Sequence, residues 1–257
     1  MTEQNIKLLI EYKGTAFCGW QSQKDQVSIQ DHIIEAIRKT TGETVNLIGA
    51  GRTDAGVHAL GQVANFRITH RLEPEKYRDA LNYYLSDDIR IRESSEAPME
   101  FHARYDATFR RYRYLIAGRQ SALYRDLRWE ITSELDFELL RKAAREILGE
   151  HDFAPFCVVT SRKENNRCRV DFAQWHRYGP LLIFEIRANR FLHSMVRSLV
   201  GAMVNLATIN QDGNERNLTL TDFTDILTSS TNERVNFTAP ARGLYLVSVG
   251  YPEGKTA

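Results

Sequence analysis

The chain has 257 residues, 42% hydrophobic and 26% charged, with a formal net charge of +1. That balance suits a globular protein large enough to bury a core, and it excludes a low-complexity or uniformly basic chain. No apolar run approaches the roughly 20 residues that span a bilayer, and the opening stretch carries Glu3, Lys7 and Glu11 where a signal peptide would be apolar, so a cytoplasmic protein is expected.

In chain order, a first strand is predicted over residues 6–12, with Ile6, Leu8, Ile10 and Tyr12 alternating to one face. A helix follows from Ser28, which caps it, with Asp31 completing a near capping box and Ile29, Ile33, Ala36 and Ile37 as its apolar stripe. Strands are predicted over 45–49 and 63–69, a short helix over 74–84 and a strand over 88–93, an order close to β-α-β-β-α-β. The second half begins with a strand over 108–117 and a helix after Asp136, which stops near Gly149. Strands over 169–178 and 181–188 flank a turn at Gly179 and Pro180. A long helix is predicted over 191–208, a short one over 222–227 and a final strand over 244–249. The expected architecture is α+β, two halves on mainly antiparallel sheets, with residues 1–104 and 105–257 as the domains. The polar stretch 161–169 reads as a loop.

The strongest local feature is GAGRTDAGVHALG at residues 49–61, four glycines between two predicted strands. Glycine permits positive φ and close backbone approach to a ligand, and the loop displays Arg52, Thr53, Asp54 and His58. A phosphate loop is excluded because Val57 and His58 stand where Lys and Ser/Thr are required, and a dinucleotide fingerprint because Asp54 takes its third glycine position. A tight hairpin that merely needs glycines is the plain alternative. Cys18, Cys157 and Cys168 form no C-x-x-C pair, and His102, His151 and His193 lack ligand spacing, so neither a disulfide framework nor a metal is expected. Between His102 and Arg128 there are seven arginines with aromatics interleaved, a composition suited both to phosphate contacts with base stacking and to a solvated strand face.

The segment GRTDAGVHA at 51–59 resembles the signature of the tRNA pseudouridine synthase A family. EYKGTAFCGWQ at 11–21, SIQ at 28–30, FHAR at 101–104, RRYRY at 110–114, NRFLHSMVRSLVG at 189–201 and GLYL at 243–246 are similar to further motifs of that family, in order over nearly the whole chain. Departures are Lys13 where Asp is frequent, Ser86 where Pro is usual, and a loose match over 163–170. The resemblance implies a pseudouridine synthase fold of two ferredoxin-like halves with a central cleft, no cofactor, and conversion of uridine to pseudouridine at positions 38–40 of the tRNA anticodon stem-loop by a homodimer.

It also implies roles. Asp54 is the catalytic carboxylate, acting on the sugar as a nucleophile or charge stabiliser. Arg197 is its expected ion-pair partner, keeping it ionised. Arg190, His193 and Arg197, at i, i+3 and i+7, are predicted to share one helix face. Tyr112 is the substrate-contacting tyrosine, stacking on uracil and assisting proton removal from C5, whereas Tyr114 reads as core. Arg52 is expected to hold the flipped nucleotide or its vacated space, and Leu244 to line the uracil pocket. Arg110 and Arg111 belong to the expected phosphate surface. His58 could contact RNA, although a loop-structuring role is preferred. The rival readings are a non-catalytic RNA-binding protein, a phosphate-binding hydrolase, and a pseudouridine synthase with another RNA target.

Overall fold

The computed structural model describes residues 3–69, 72–209, 218–228 and 235–253. The chain forms two compact units, residues 1–110 with 245–257, and residues 111–244. This differs from a single boundary near Arg104, because the end of the chain returns to the first unit.

In the first unit, strand β1 (Gln4–Tyr12) is followed by helix α1 (Ile29–Thr41), strands β2 (Ile48–Gly49) and β3 (His58–Ile68), helix α2 (Tyr77–Tyr84) and strand β4 (Ile89–Ala97). β1 pairs antiparallel with both β3 and β4, and β2 pairs antiparallel with β3. The alternation of β1 is realised: Ile6, Leu8, Ile10 and Tyr12 are all buried. α1 starts where its cap predicts, since Ser28 Oγ accepts the Asp31 N–H at 3.1 Å, and it ends at Gly42 with φ +80°. Its stripe of Ile29, Ile33, Ala36 and Ile37 is buried. The strand predicted over 45–49 shortens to two paired residues, and β3 starts five residues before the predicted position, at the histidine of the glycine loop.

The second unit contains most of β5 (Phe109–Ala117), then β6 (Trp129–Glu130), α3 (Phe137–Glu146), β7 (Gly149–Asp152), β8 (Arg167–Tyr178), β9 (Leu181–Ala188), α4 (Met195–Ala207) and α5 (Leu220–Thr228). Its strands run in the order β5-β9-β8-β7, with β6 beside β5. Asp136 Oδ1 accepts the Leu139 N–H at 2.9 Å and caps α3. Gly179, at φ +57°, makes the predicted turn between β8 and β9.

α4 corrects one expectation. The helix starts at Met195, not near Phe191, and the residue before it, Ser194, has φ +59°. A left-handed residue cannot sit inside an α-helix. Arg190 and His193 therefore lie in the irregular approach to the helix and do not share a helical face with Arg197. All but two of the 13 residues of α4 are buried, so the helix is apolar on every side.

The last strand, β10 (Leu244–Gly250), returns to the first unit and pairs in parallel with β3, Tyr245 opposite His58 and Leu246 opposite Ala59. A strand pattern in a sequence does not name its partner, which is why 245–257 was expected with the second half. No helix among the described residues is long and apolar enough to cross a membrane.

Ser28→Ala removes the cap of α1 from a fully buried position. It is expected to lower stability by about 1 kcal/mol, read from the midpoint of a urea unfolding curve.

Candidate active site

The glycine loop is held from several directions within the first unit. At its start, the Ala50 N–H donates to the Val63 carbonyl at 2.7 Å and Gln62 Nε2 donates to the Gly51 carbonyl at 2.8 Å. At its centre, Thr53 is buried: its Oγ1 shares a 2.8 Å hydrogen bond with the Tyr12 hydroxyl, and its carbonyl accepts the Trp20 N–H at 3.1 Å. The Asp54 carbonyl accepts the Val57 N–H at 3.1 Å, closing a turn around Gly56 at φ +77°, the sign that favours glycine at that position. The Gly56 N–H donates in turn to the Phe17 carbonyl.

At its end, His58 is 1% exposed. Its Nδ1 accepts the Gly14 N–H at 3.0 Å, and its ring stacks on Tyr245 with centroids 4.7 Å apart. Burial pushes the Tyr245 phenol up to about 12.

The consequence is a loop whose burial alternates. Arg52 is exposed, Thr53 buried and Asp54 half-buried. An acid and a cation are thus presented on a backbone fixed on either side of them. The segment from Tyr12 to Trp20 supplies much of the support, and there Gly19 is constrained both by its backbone angle and by its neighbour. Its φ is +108°, and a Cβ there would lie 2.4 Å from the Thr53 carbonyl oxygen. The supporting residues Tyr12, Gln62 and Tyr245 are not distinguishable in the sequence from ordinary strand residues.

The other expected site residues lie mainly in the second unit. Tyr112, on β5, is 8% exposed and meets the Phe191 ring edge-on at 5.0 Å. Tyr114, two residues on, is fully buried, and its hydroxyl donates to the Pro240 carbonyl at 2.7 Å. Burial raises its phenol far above the ordinary value despite the Arg197 and Arg242 charges. Arg197, on α4, is half-buried; its Nε donates to the Ala239 carbonyl at 2.9 Å, and the Ala239 N–H donates back to the Arg197 carbonyl at 3.0 Å. Leu244 is 6% exposed. His193 hydrogen-bonds Ser161 through Nδ1 at 2.8 Å, and Arg190 Nη2 donates to the Asn165 carbonyl.

The arginine-rich stretch divides sharply once its partners are visible. Arg110, in the first unit, donates to the carbonyls of Ala50, Arg104 and Ala107 at 2.8, 2.7 and 3.1 Å. Arg111 and Arg113 both bind the carboxylate of Glu185 on β9, and the Arg111 guanidinium also lies over the Phe172 ring. Burial alone would raise the Glu185 carboxyl, but hydrogen bonds and charge from Arg111 and Arg113 outweigh it and hold it below the ordinary carboxylate value. Those three arginines build structure before they meet any ligand. Among the described residues no group of three or more His, Cys, Asp or Glu could hold a metal ion.

The sequence profile of tRNA pseudouridine synthases matches residues 8–106 and 143–252. The chain belongs to the tRNA pseudouridine synthase family. A tRNA pseudouridine synthase A of Acetivibrio thermocellus is 44% identical over 252 residues, covering 96% of this chain and 100% of that protein. One of Rippkaea orientalis is 40% identical, covering 98% and 84%, and one of Pseudoalteromonas atlantica 36%, covering 96% and 92%. A chain in the solved structure of a Cbf5-Nop10-Gar1 complex superposes at TM-score 0.32 with 11% identity, over 76% of this chain and 52% of that one. As a pseudouridine synthase, the chain is an isomerase, and the mixed α+β fold with mostly antiparallel strands agrees with that family.

Two expectations follow for this synthase. Gly19→Ala forces a side chain against Thr53 at a φ that disfavours it, and should cost about 1–3 kcal/mol, measured by chemical unfolding. Because the Glu185 carboxyl is held below its ordinary value of 4.5, its contribution to stability is present above that value and is lost as the pH falls through the lowered one. Glu185→Gln should lower the melting temperature near neutrality and flatten its fall on acidification.

Proposed function

We propose that the protein converts uridine to pseudouridine at positions 38–40 of the tRNA anticodon stem-loop, with Asp54 as the nucleophile, in the cytoplasm and as a homodimer. The observation that carries the reading is the fixed loop that presents half-buried Asp54 beside exposed Arg52, in a chain belonging to the tRNA pseudouridine synthase family. The names of the relatives, tRNA pseudouridine synthase A, support tRNA as the RNA. Position and dimerisation come from the resemblance.

The reaction is an isomerisation. The bond between uracil N1 and ribose C1′ breaks, a bond from C5 to C1′ forms, and the proton on C5 is removed while N1 is protonated. No redox partner is required by that balance. A carboxylate on a preorganised backbone can attack or stabilise the electron-poor sugar centre without reorganising. For Asp54 to reach the sugar, the nucleotide must leave its stack, and Arg52, two residues away, is suited to hold its phosphate. The resemblance supplies Arg197 as the counter-ion that keeps the acid ionised, Tyr112 as the ring that meets the uracil and Leu244 as apolar lining. The burial of His58, and its bond from Gly14, favour the loop-structuring role for that residue. The three carbonyl bonds of Arg110 favour a similar role.

Asp54→Asn keeps the shape of the side chain and removes its charge. On unmodified tRNA it should lower turnover by ~10³-fold or more while tRNA binding stays within a fewfold of wild type. Full activity in that variant would end the assignment of Asp54, and mapping the product nucleotide outside positions 38–40 would end the assignment of the site.

A further inference from the structure

The segment following β4 in the first unit is fastened from beneath. Asn5 Nδ2 donates to the carbonyls of Pro98 and Phe101 at 2.8 and 3.0 Å. The Ala103 N–H donates to Asn65 Oδ1 at 2.9 Å, and the Tyr251 hydroxyl donates to the Ala103 carbonyl at 2.7 Å. Asp106 closes the turn: its Oδ2 accepts the His102 N–H at 2.9 Å, and its own N–H donates to the His102 carbonyl at 3.1 Å. Phe101 and Ala103 are buried.

What this turn holds outward is a cationic aromatic stack. Tyr105 is 78% exposed. The His102 ring lies 4.3 Å from it, tilted by 32°, and the Arg104 guanidinium lies 5.9 Å from its centroid. His102 Nδ1 accepts the N–H groups of both Arg104 and Tyr105 at 3.2 Å, so the neutral ring carries its proton on Nε2. Arg104 has no carboxylate partner among the described residues. A single exposed tyrosine is common on protein surfaces. One held in a stack on a braced turn, beside an arginine that forms no ion pair among the described residues, has the parts that recognise an unpaired nucleotide: a flat ring for the base and a cation for its phosphate.

Arg110 joins this turn to the glycine loop. The same Nη2 that donates to the Arg104 carbonyl at 2.7 Å donates to the Ala50 carbonyl at 2.8 Å, and Ala50 stands four residues before Asp54. Relative motion of the two segments would break one of those bonds.

We propose that His102, Arg104 and Tyr105 form a stacking platform for a second nucleotide of the tRNA substrate, separate from the one that reacts, and that Arg110 is the positioning residue that keeps the platform in register with the Asp54 loop. The platform rests on the tRNA-modifying reading above, and it deepens that reading by naming a contact that fixes the substrate without touching the reacting atoms.

The full chain and an unmodified tRNA transcript suffice for the test, with Kd from filter binding and KM and kcat from pseudouridine formation. Tyr105→Ala should raise Kd and KM about tenfold, with kcat within twofold and the melting temperature unchanged. Tyr105→Trp, which keeps an aromatic face, should bind as wild type. Arg104→Gln should reduce the slope of log K against log salt by about one. Arg110→Gln should raise KM, and combined with Tyr105→Ala the two effects should overlap. A wild-type Kd in Tyr105→Ala, or equal losses in the Ala and Trp variants, overturns the platform. Strict additivity of the Arg110 and Tyr105 effects on KM overturns the positioning role. Turnover by the wild-type protein on the same transcript separates these outcomes from the functional reading, which fails if no pseudouridine forms.

Discussion

The hydrogen bond between Tyr12 and Thr53 is the constraint on which the presentation of Asp54 depends. It joins the end of β1 to the residue preceding Asp54, and the Trp20 N–H binds the same residue through its carbonyl. Both bonds are made by a single buried residue, so Thr53 is held at two atoms, one in its side chain and one in its backbone. A carboxylate on an unrestrained glycine-rich loop would sample many orientations, and ordering its backbone would cost conformational entropy. Here the ordering is completed by folding.

The same logic explains the division of labour among charged residues. A guanidinium makes up to five hydrogen bonds in a planar fork, which suits it to bridging backbone carbonyls as well as to gripping phosphate. Arg110 bridges three carbonyls, and Arg111 with Arg113 neutralises a buried Glu185. Arg52 and Arg104 remain at the surface of the first unit. The arginines that brace the structure and those left at its surface are thus of one chemical type, separated by burial and by partners.

This separation also marks how far the sequence could be read. The Ser28 cap, the apolar stripe of α1 and the alternation of β1 rest on neighbours a few residues apart, and such local rules place those elements correctly. The glycine loop was legible because four glycines in 13 residues announce a demanding backbone. Its braces were not, because Tyr12, Gln62 and Tyr245 read as plain strand positions until their partners come together from distant segments. The approach to α4 was misread for a different reason. Phe191 and Leu192 continue the helical spacing of the apolar residues behind them, and only the left-handed backbone of Ser194 interrupts it. β7 was missed because Gly-Glu-His-Asp has the composition of a loop, and pairing with β8 overrides it. The arginine stretch could not be divided into structural and displayed members without knowing where Glu185 and the Ala50 carbonyl would fall.

The return of β10 to the first unit bears on how the molecule is made. β3 pairs there with a strand that is synthesised only after the whole of residues 111–244, which form a continuous segment. A nascent chain that has emerged through β4 holds the histidine end of β3 without its eventual neighbour, and an unpaired strand edge invites association with other chains. Closing that pairing joins residues far apart in the polypeptide, which slows the step relative to local helix formation. His58 gains its stacking partner Tyr245 only then, so the carboxylate loop acquires this brace only after the entire second unit has left the ribosome.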